Sequence, residues 1–159
     1  MRGGTSKGVF LREQDVPEDR QALTRLLLDL FGSPDRRQID GLGGADKLTS
    51  KAAIIGKAKR PDSDVTYLFG QVGTVAPEVD FNLNCGNLTA AVGVYAVEQG
   101  LVAPEEGRTL VRVHNLNTDC MVHVRVPTSG GKVQTKGDLE IGGVPGTGAP
   151  IELDLSLIH

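Results

Sequence analysis

The sequence predicts an α+β domain in which one buried helix stands among many strands. Three observations carry that prediction. From Leu88 to Val97 the residues Leu88, Ala90, Ala91, Val92, Val94, Tyr95, Ala96 and Val97 cover every face of a helix, and a helix apolar all round belongs inside a domain. Beyond Gly100 the pattern changes to short β-branched runs separated by turn residues, which read as strand after strand. The chain of 159 residues is one domain's worth, long enough to bury a core, and its 21 glycines without low-complexity sequence suit tight turns and close backbone approach.

Composition narrows the function classes. Lys and Arg number 17 against 20 Asp and Glu, so a net charge of −3 argues against nucleic acid or a membrane surface held by bulk charge, and no aromatic stacking set is visible. No apolar run approaches the roughly 20 residues of a membrane span, and MRGGTSKG has no apolar signal region. The expected compartment is the cytoplasm. Two cysteines far apart, Cys85 and Cys120, fit a reduced compartment better than a disulfide scaffold.

In order, the chain opens with glycines and hydroxyl residues before a short strand at Val9-Phe10-Leu11. Gly3, Gly4, Thr5 and Ser6 offer backbone N–H and hydroxyl donors to an anion, or else form a flexible terminus. The order is not that of a phosphate-binding Walker loop, and no strand precedes this glycine turn. Pro17 to Phe31 is expected as an amphipathic helix, with Pro17 in its first turn, a core stripe of Leu23, Leu26, Leu27 and Leu30, and Gly32 as its stop. Gln38 to Lys51, QIDGLGGADKLTSK, is a second glycine-rich passage leading into the strand Ala52-Ala53-Ile54-Ile55. Lys51 sits where loop becomes strand. It is either a solvent-facing lysine or a partly desolvated amine able to exchange protons. Lys59 to Asp64 is a hairpin connection, and Val65 to Val75 the returning strand, with Tyr67, Phe69 and Val72 as its bulky members.

Phe81 to Gly100, FNLNCGNLTAAVGVYAVEQG, then places Cys85 at the mouth of the buried helix, which Gly100 ends as the C′ residue. A thiol there faces unpaired N–H groups and the positive end of the dipole, and the same N–H groups can hold a carboxylate. The plain alternative is a cysteine used as a small hydrophobe. Polar, turn-forming Asn84, Gly86 and Asn87 on both sides weigh toward the reactive reading.

Strands are expected at Thr109 to Asn115, Met121 to Pro127, Lys132 to Gly137 and Ile151 to Leu155, with hairpin turns at Asn117-Thr118-Asp119 and Ser129-Gly130-Gly131. His114, Cys120 and His123 match no metal-ligand spacing, so no metal is expected. Val144 to Pro150 reads as a loop.

MRGGTSKG, DGLGGADKLTSK and NCGNLTAAVG, in that order and joined by YLFGQV and VPGTGAPIEL, closely resemble the PrpF-type 2-methylaconitate isomerases. The wider group includes 4-oxalomesaconate tautomerases. The resemblance implies a diaminopimelate-epimerase-like fold: two similar halves, each a curved, mostly antiparallel sheet wrapped around a central buried helix, with the active site between them. It identifies residues 1–155 as the N-terminal half, 156–159 as terminal residues, and a second domain as absent, since family members are roughly twice this long.

The family's catalytic lysine falls on Lys51 and its cysteine on Cys85. Gly3, Gly4, Thr5, Ser6, Asn84, Gly86 and Asn87 fall on carboxylate-holding positions, and Ser50 beside the lysine joins the substrate-binding set. The implied activity is a cofactor-independent shift of a C=C bond by allylic proton transfer in a small unsaturated di- or tricarboxylate. Keto-enol tautomerisation of the oxalomesaconate type is the alternative. An amino-acid epimerase on the same fold would need a second cysteine facing Cys85 from the other half. From a different class, the chain is a truncated, non-catalytic fragment that self-associates into a homo-oligomer through the uncovered domain face.

Overall fold

A computed structural model describes residues 1–155; Ser156 to His159 lie outside the described residues. In chain order the elements are β1 (Arg2–Gly3), β2 (Ser6–Arg12), α1 (Arg20–Phe31), β3 (Lys51–Lys57), β4 (Val65–Val72), β5 (Val79–Asp80), α2 (Gly86–Glu98), β6 (Gly107–Asn115), β7 (Cys120–Ser129), β8 (Lys132–Val133), β9 (Leu139–Glu140), β10 (Thr147–Gly148) and β11 (Glu152–Asp154). Nine strands form one sheet in the order β1-β2-β3-β4-β6-β7-β11, with β5 on β4 and β8 on β7; β9 and β10 pair separately. Most neighbours are antiparallel, but β2 runs parallel to β3 and β4 parallel to β6. Parallel neighbours need a crossover, and these two crossovers carry the two helices.

Strand alternation sorts the core. Ala53 and Ile55 of β3, Tyr67 and Phe69 of β4, Val111 and Val113 of β6 and Val122, Val124 and Val126 of β7 pack on α2. Ala52 and Ile54 point the other way, with Val72, onto Leu23, Leu27 and Phe31 of α1. Because α2 touches β1 and β2 near one edge and β7 and β8 near the other, the sheet has to curl around it. The α+β class, with a curved and mostly antiparallel sheet around one buried helix, is therefore the fold observed.

Helix α2 ends as expected: Gly100, at φ +68°, donates to the Val97 carbonyl and Leu101 to that of Ala96. Several element bounds differ from the sequence expectation. Helix α1 starts at Arg20, not Pro17, because the Asp19 carboxylate accepts from the Ala22 N–H at 2.8 Å and caps it there. Leu26 is exposed, leaving Leu23, Leu27 and Phe31 as the buried stripe. A strand does precede the glycine turn, since Arg2 and Gly3 pair with Lys7 and Ser6. The strand expected over Lys132 to Gly137 stops at Val133, and the Val144 to Pro150 loop contains β10, paired with β9.

Candidate active site

Lys51 opens β3 opposite Gly8 of the parallel β2 and Gln71 of the antiparallel β4. Alternation puts its side chain with those of Ala53, Ile55 and Phe69, on the α2 face. It is 7% exposed. Its Nζ donates to Gln71 Oε1 at 2.8 Å and lies 5.1 Å from the Phe69 ring centre. The Gln71 amide is itself fixed, its Nε2 donating to the Ser50 carbonyl at 3.0 Å and the Lys47 carbonyl at 3.2 Å. A neutral oxygen and a ring face thus hold the amine.

Cys85 is the N-cap of α2, with extended backbone and no capping bond from its side chain. Its carbonyl accepts from the Thr89 N–H at 3.1 Å and the Thr89 hydroxyl at 2.9 Å, which fixes the first turn. The sulfur lies 3.6 Å from Ser6 Oγ, at the start of β2. Ser6 and Gly8 share a face of β2, and a Cβ on Gly8 would press on Leu88 of α2 at 3.0 Å and on the Lys51 carbonyl at 2.9 Å. Lys51 and Cys85 therefore stand on the same face of the sheet, against neighbouring positions of one strand. Tyr67 is fully buried; burial first, and then the Cys85 sulfur, push its phenol above the ordinary tyrosine range, so it stays neutral.

The glycine turn docks on the helix mouth. Asn87 Nδ2 donates to Thr5 Oγ1 at 2.9 Å, and Gly4, at φ +51°, passes so close that a Cβ would lie 2.5 Å from Asn87 Oδ1. Gly3 is buried against the Asn87 carbonyl. Asn84 and Gly86 are exposed on either side of Cys85. Gly3 to Ser6, Asn84 to Asn87 and Lys51 thus gather at one end of the molecule, where the first N–H groups of α2 have no acceptor within the helix.

Ser50 is not brought into that group. It is fully buried, its hydroxyl donates to Gln38 Oε1 at 2.6 Å, and as the neighbour of Lys51 it faces the opposite side of the sheet. His114 hydrogen-bonds Asp119 at 2.7 Å, and among the described residues no three His, Cys, Asp or Glu cluster at metal-binding distance. No helix among the described residues is long and apolar enough to cross a membrane.

Sequence reasoning missed the amides that build this end. Gln38 accepts from Ala45 N–H as well as Ser50, Gln71 holds Lys51, Asn115 donates to Asn84 Oδ1 at 2.8 Å, and Asn117 bridges Phe69 and Phe81. The signal in the sequence was weak: Gln71, Asn115 and Asn117 border or interrupt apolar strands, where a buried polar group requires a partner, whereas Gln38 lies in the loop before β3 and carries no such mark.

Comparison with known proteins places this geometry. A family model described as PrpF protein matches residues 1–157. The chain is 49% identical over 156 residues to a 3-methylitaconate isomerase of Eubacterium barkeri, covering 98% of this chain and 41% of the relative. It is 50% identical over 151 residues to a 4-oxalomesaconate tautomerase of Pseudomonas putida, covering 95% and 42%. A crystal structure of methylitaconate-delta-isomerase superposes with a TM-score of 0.94 at 47% identity, covering 99% of this chain and 73% of that one. The chain spans about two-fifths of the length of the curated relatives it matches.

Proposed function

The chain belongs to the PrpF protein family, and on that premise we propose that it contributes Lys51 and Cys85 to a cofactor-independent isomerase. The reaction moves a C=C bond by allylic proton transfer in a small unsaturated di- or tricarboxylate. One observation carries the reading: the Lys51 amine and the Cys85 sulfur share a face of the sheet at the end where the glycine turn meets the N-terminus of α2. Taking a proton from the carbon next to the double bond builds charge that spreads onto a carboxylate. Amides at the helix mouth, with Gly3 to Ser6 beside them, are the fixed donors that charge requires. Lys51 takes the proton. Cys85 either returns one at the other allylic carbon or lines the opposite face of the substrate. Asn84, Gly86, Asn87, Gly4, Thr5 and Ser6 hold carboxylate oxygens, and Ser50 acts only from behind, through the Gln38 contact that sets the turn into β3.

A second reading, keto-enol tautomerisation of an oxalomesaconate-like acid, is favoured by the 50% identity to a tautomerase and uses the same proton transfer. In both, residues 1–155 are the N-terminal half of a two-domain fold, a second domain selects the substrate, and the setting is the cytoplasm, in keeping with two free cysteines. Exposed Ile39, Leu42 and Leu48 precede Lys51, and exposed Leu83 precedes Cys85. Self-association would cover them, and sedimentation equilibrium over a tenfold concentration range reads it: a constant monomer mass removes that part.

Proton NMR in deuterated buffer with methylitaconate and aconitate tests the reaction. Solvent deuterium is expected at the allylic positions, and Lys51→Ala is expected to slow its entry by about 100-fold or more. Undiminished exchange in that variant would strike Lys51 from the mechanism. Cys85→Ala separates the two roles of the thiol: if the thiol returns the proton, exchange is expected to be lost at the second allylic carbon and kept at the first, whereas a lining residue affects both positions alike.

A further inference from the structure

We propose that Asn115 is a positioning residue: it locks the Asn84 amide with its oxygen inward, so that the NH2 group of Asn84 is the end presented as a donor to a ligand carboxylate at the mouth of α2. The ligand's identity as a carboxylate rests on the isomerase reading above; the orientation of the amide does not.

Asn115 closes β6 and is fully buried. Its Oδ1 accepts from the N–H groups of Asn117 at 2.9 Å and Thr118 at 3.3 Å, at the β6–β7 turn. Only an oxygen can accept two N–H groups, so the amide has one orientation. Its Nδ2 then points at Asn84 and meets Oδ1 there at 2.8 Å. An NH2 facing another NH2 offers no hydrogen bond, so Asn84 must turn its oxygen inward. What remains outward is a group that donates only. It sits on an exposed residue one position before the N-cap of a helix whose dipole and first N–H groups already favour an anion.

The turn alone does not explain the amide at position 115. An aspartate there would accept the same two N–H groups. Asn117 shows that this hairpin is a support for the loop that carries the site: its Nδ2 donates to the Phe81 carbonyl at 2.7 Å and the Phe69 carbonyl at 2.8 Å, and its Oδ1 accepts from Phe69 N–H at 2.7 Å. Asn117 ties down the start of the loop and Asn115 ties down its end. Only the second contact sets which atoms of Asn84 meet a ligand.

The experiment uses the full chain, 15N-labelled, with trans-aconitate as the probe. In the wild type the Asn115 side-chain NH2 is expected to exchange slowly with water and that of Asn84 quickly; the reverse order overturns the proposal with no variant needed. In Asn115→Asp the turn keeps its acceptor, but the second carboxylate oxygen now demands a donor. Asn84 is expected to swing its NH2 inward, its side-chain signals shifting and slowing, and trans-aconitate to bind about tenfold more weakly or worse. Asn84→Asp keeps the inward acceptor and loses the outward donor. It is expected to leave the Asn115 amide signals in place while weakening the probe at least as much. Unchanged Asn84 signals in Asn115→Asp, or undiminished binding in Asn84→Asp, overturn the proposal. Should the wild type neither bind trans-aconitate nor exchange deuterium, the isomerase reading fails, and the amide exchange order still decides the role of Asn115.

Discussion

Gly3 has no room for a side chain, because a Cβ there would collide with the Asn87 carbonyl and lie 3.2 Å from Ala91 Cβ. Both obstacles belong to the first turns of α2, and backbone cannot step aside. Gly3→Ala is therefore expected to cost about 1–3 kcal/mol in urea unfolding. At Gly4 the obstacle is the Asn87 side-chain amide, which can rotate away at the expense of its bond to Thr5. Gly4→Ala keeps a strained left-handed residue and is expected to cost about 1–2 kcal/mol. Stability unchanged in Gly3→Ala would mean that the turn does not lie against the helix. The sequence suggested these glycines as amide donors to an anion; their packing against α2 adds a second reason for them, which no spacing along the chain reveals. Gln71 and Asn115 were equally hidden. Gln71 lies 20 residues from Lys51 and Asn115 31 residues from Asn84, so each pairing exists only once strand register is known.

Helix α2 contains two glycines whose surroundings predict opposite outcomes. A Cβ on Gly93 would stand 2.5 Å from Val124 Cγ1 and 2.9 Å from Val126 Cγ2, inside the curl of the sheet. Alanine gains about 1 kcal/mol of helix propensity over glycine, but overpacking costs about 1–3 kcal/mol, so Gly93→Ala is expected to destabilise or at best break even. Gly86, in the first turn, would meet nothing within 4 Å, and Gly86→Ala is expected to keep or raise the melting temperature. Equal loss in both variants would contradict the wrapped helix. The helix was legible because apolar residues on every side leave it nowhere to go but the interior. The start of α1 was misjudged because Pro17 suits a first turn, yet the Asp19 side chain supplies the acceptor that an N-terminus needs. Strands of two residues, such as β5, β9 and β10, hold too few residues for a period to be read.

Curling one sheet around one helix concentrates the demand on the places where the chain crosses over, and the joint between parallel β4 and β6 is held by a charged clamp. Asp64 N–H donates to the Arg112 carbonyl at 2.8 Å, Arg112 N–H to Asp64 Oδ2 at 2.8 Å, and the Arg112 guanidinium reaches Oδ2 at 3.1 Å and Oδ1 at 2.6 Å. Partial burial pushes the Asp64 carboxyl up, but its bonds from Arg112 outweigh this and hold it below the ordinary aspartate range. A carboxyl whose folded value is depressed stabilises the fold fully above its unfolded value, near pH 4, and loses that contribution as pH falls through the folded value. The arginine side chain is 41% exposed, so solvent screening limits the clamp to about 1 kcal/mol. Asp64→Asn keeps a neutral acceptor and removes the charge. Urea unfolding is expected to show the wild type ahead by about that amount at pH 7 and pH 5, with the gap closing below pH 4. Exposed Glu106, also held below its ordinary value by hydrogen bonds, titrates in both proteins and cancels from the difference. A gap that stays constant down to pH 2.5 would mean that the clamp acts through its shape alone, and that the joint between β4 and β6 does not depend on charge.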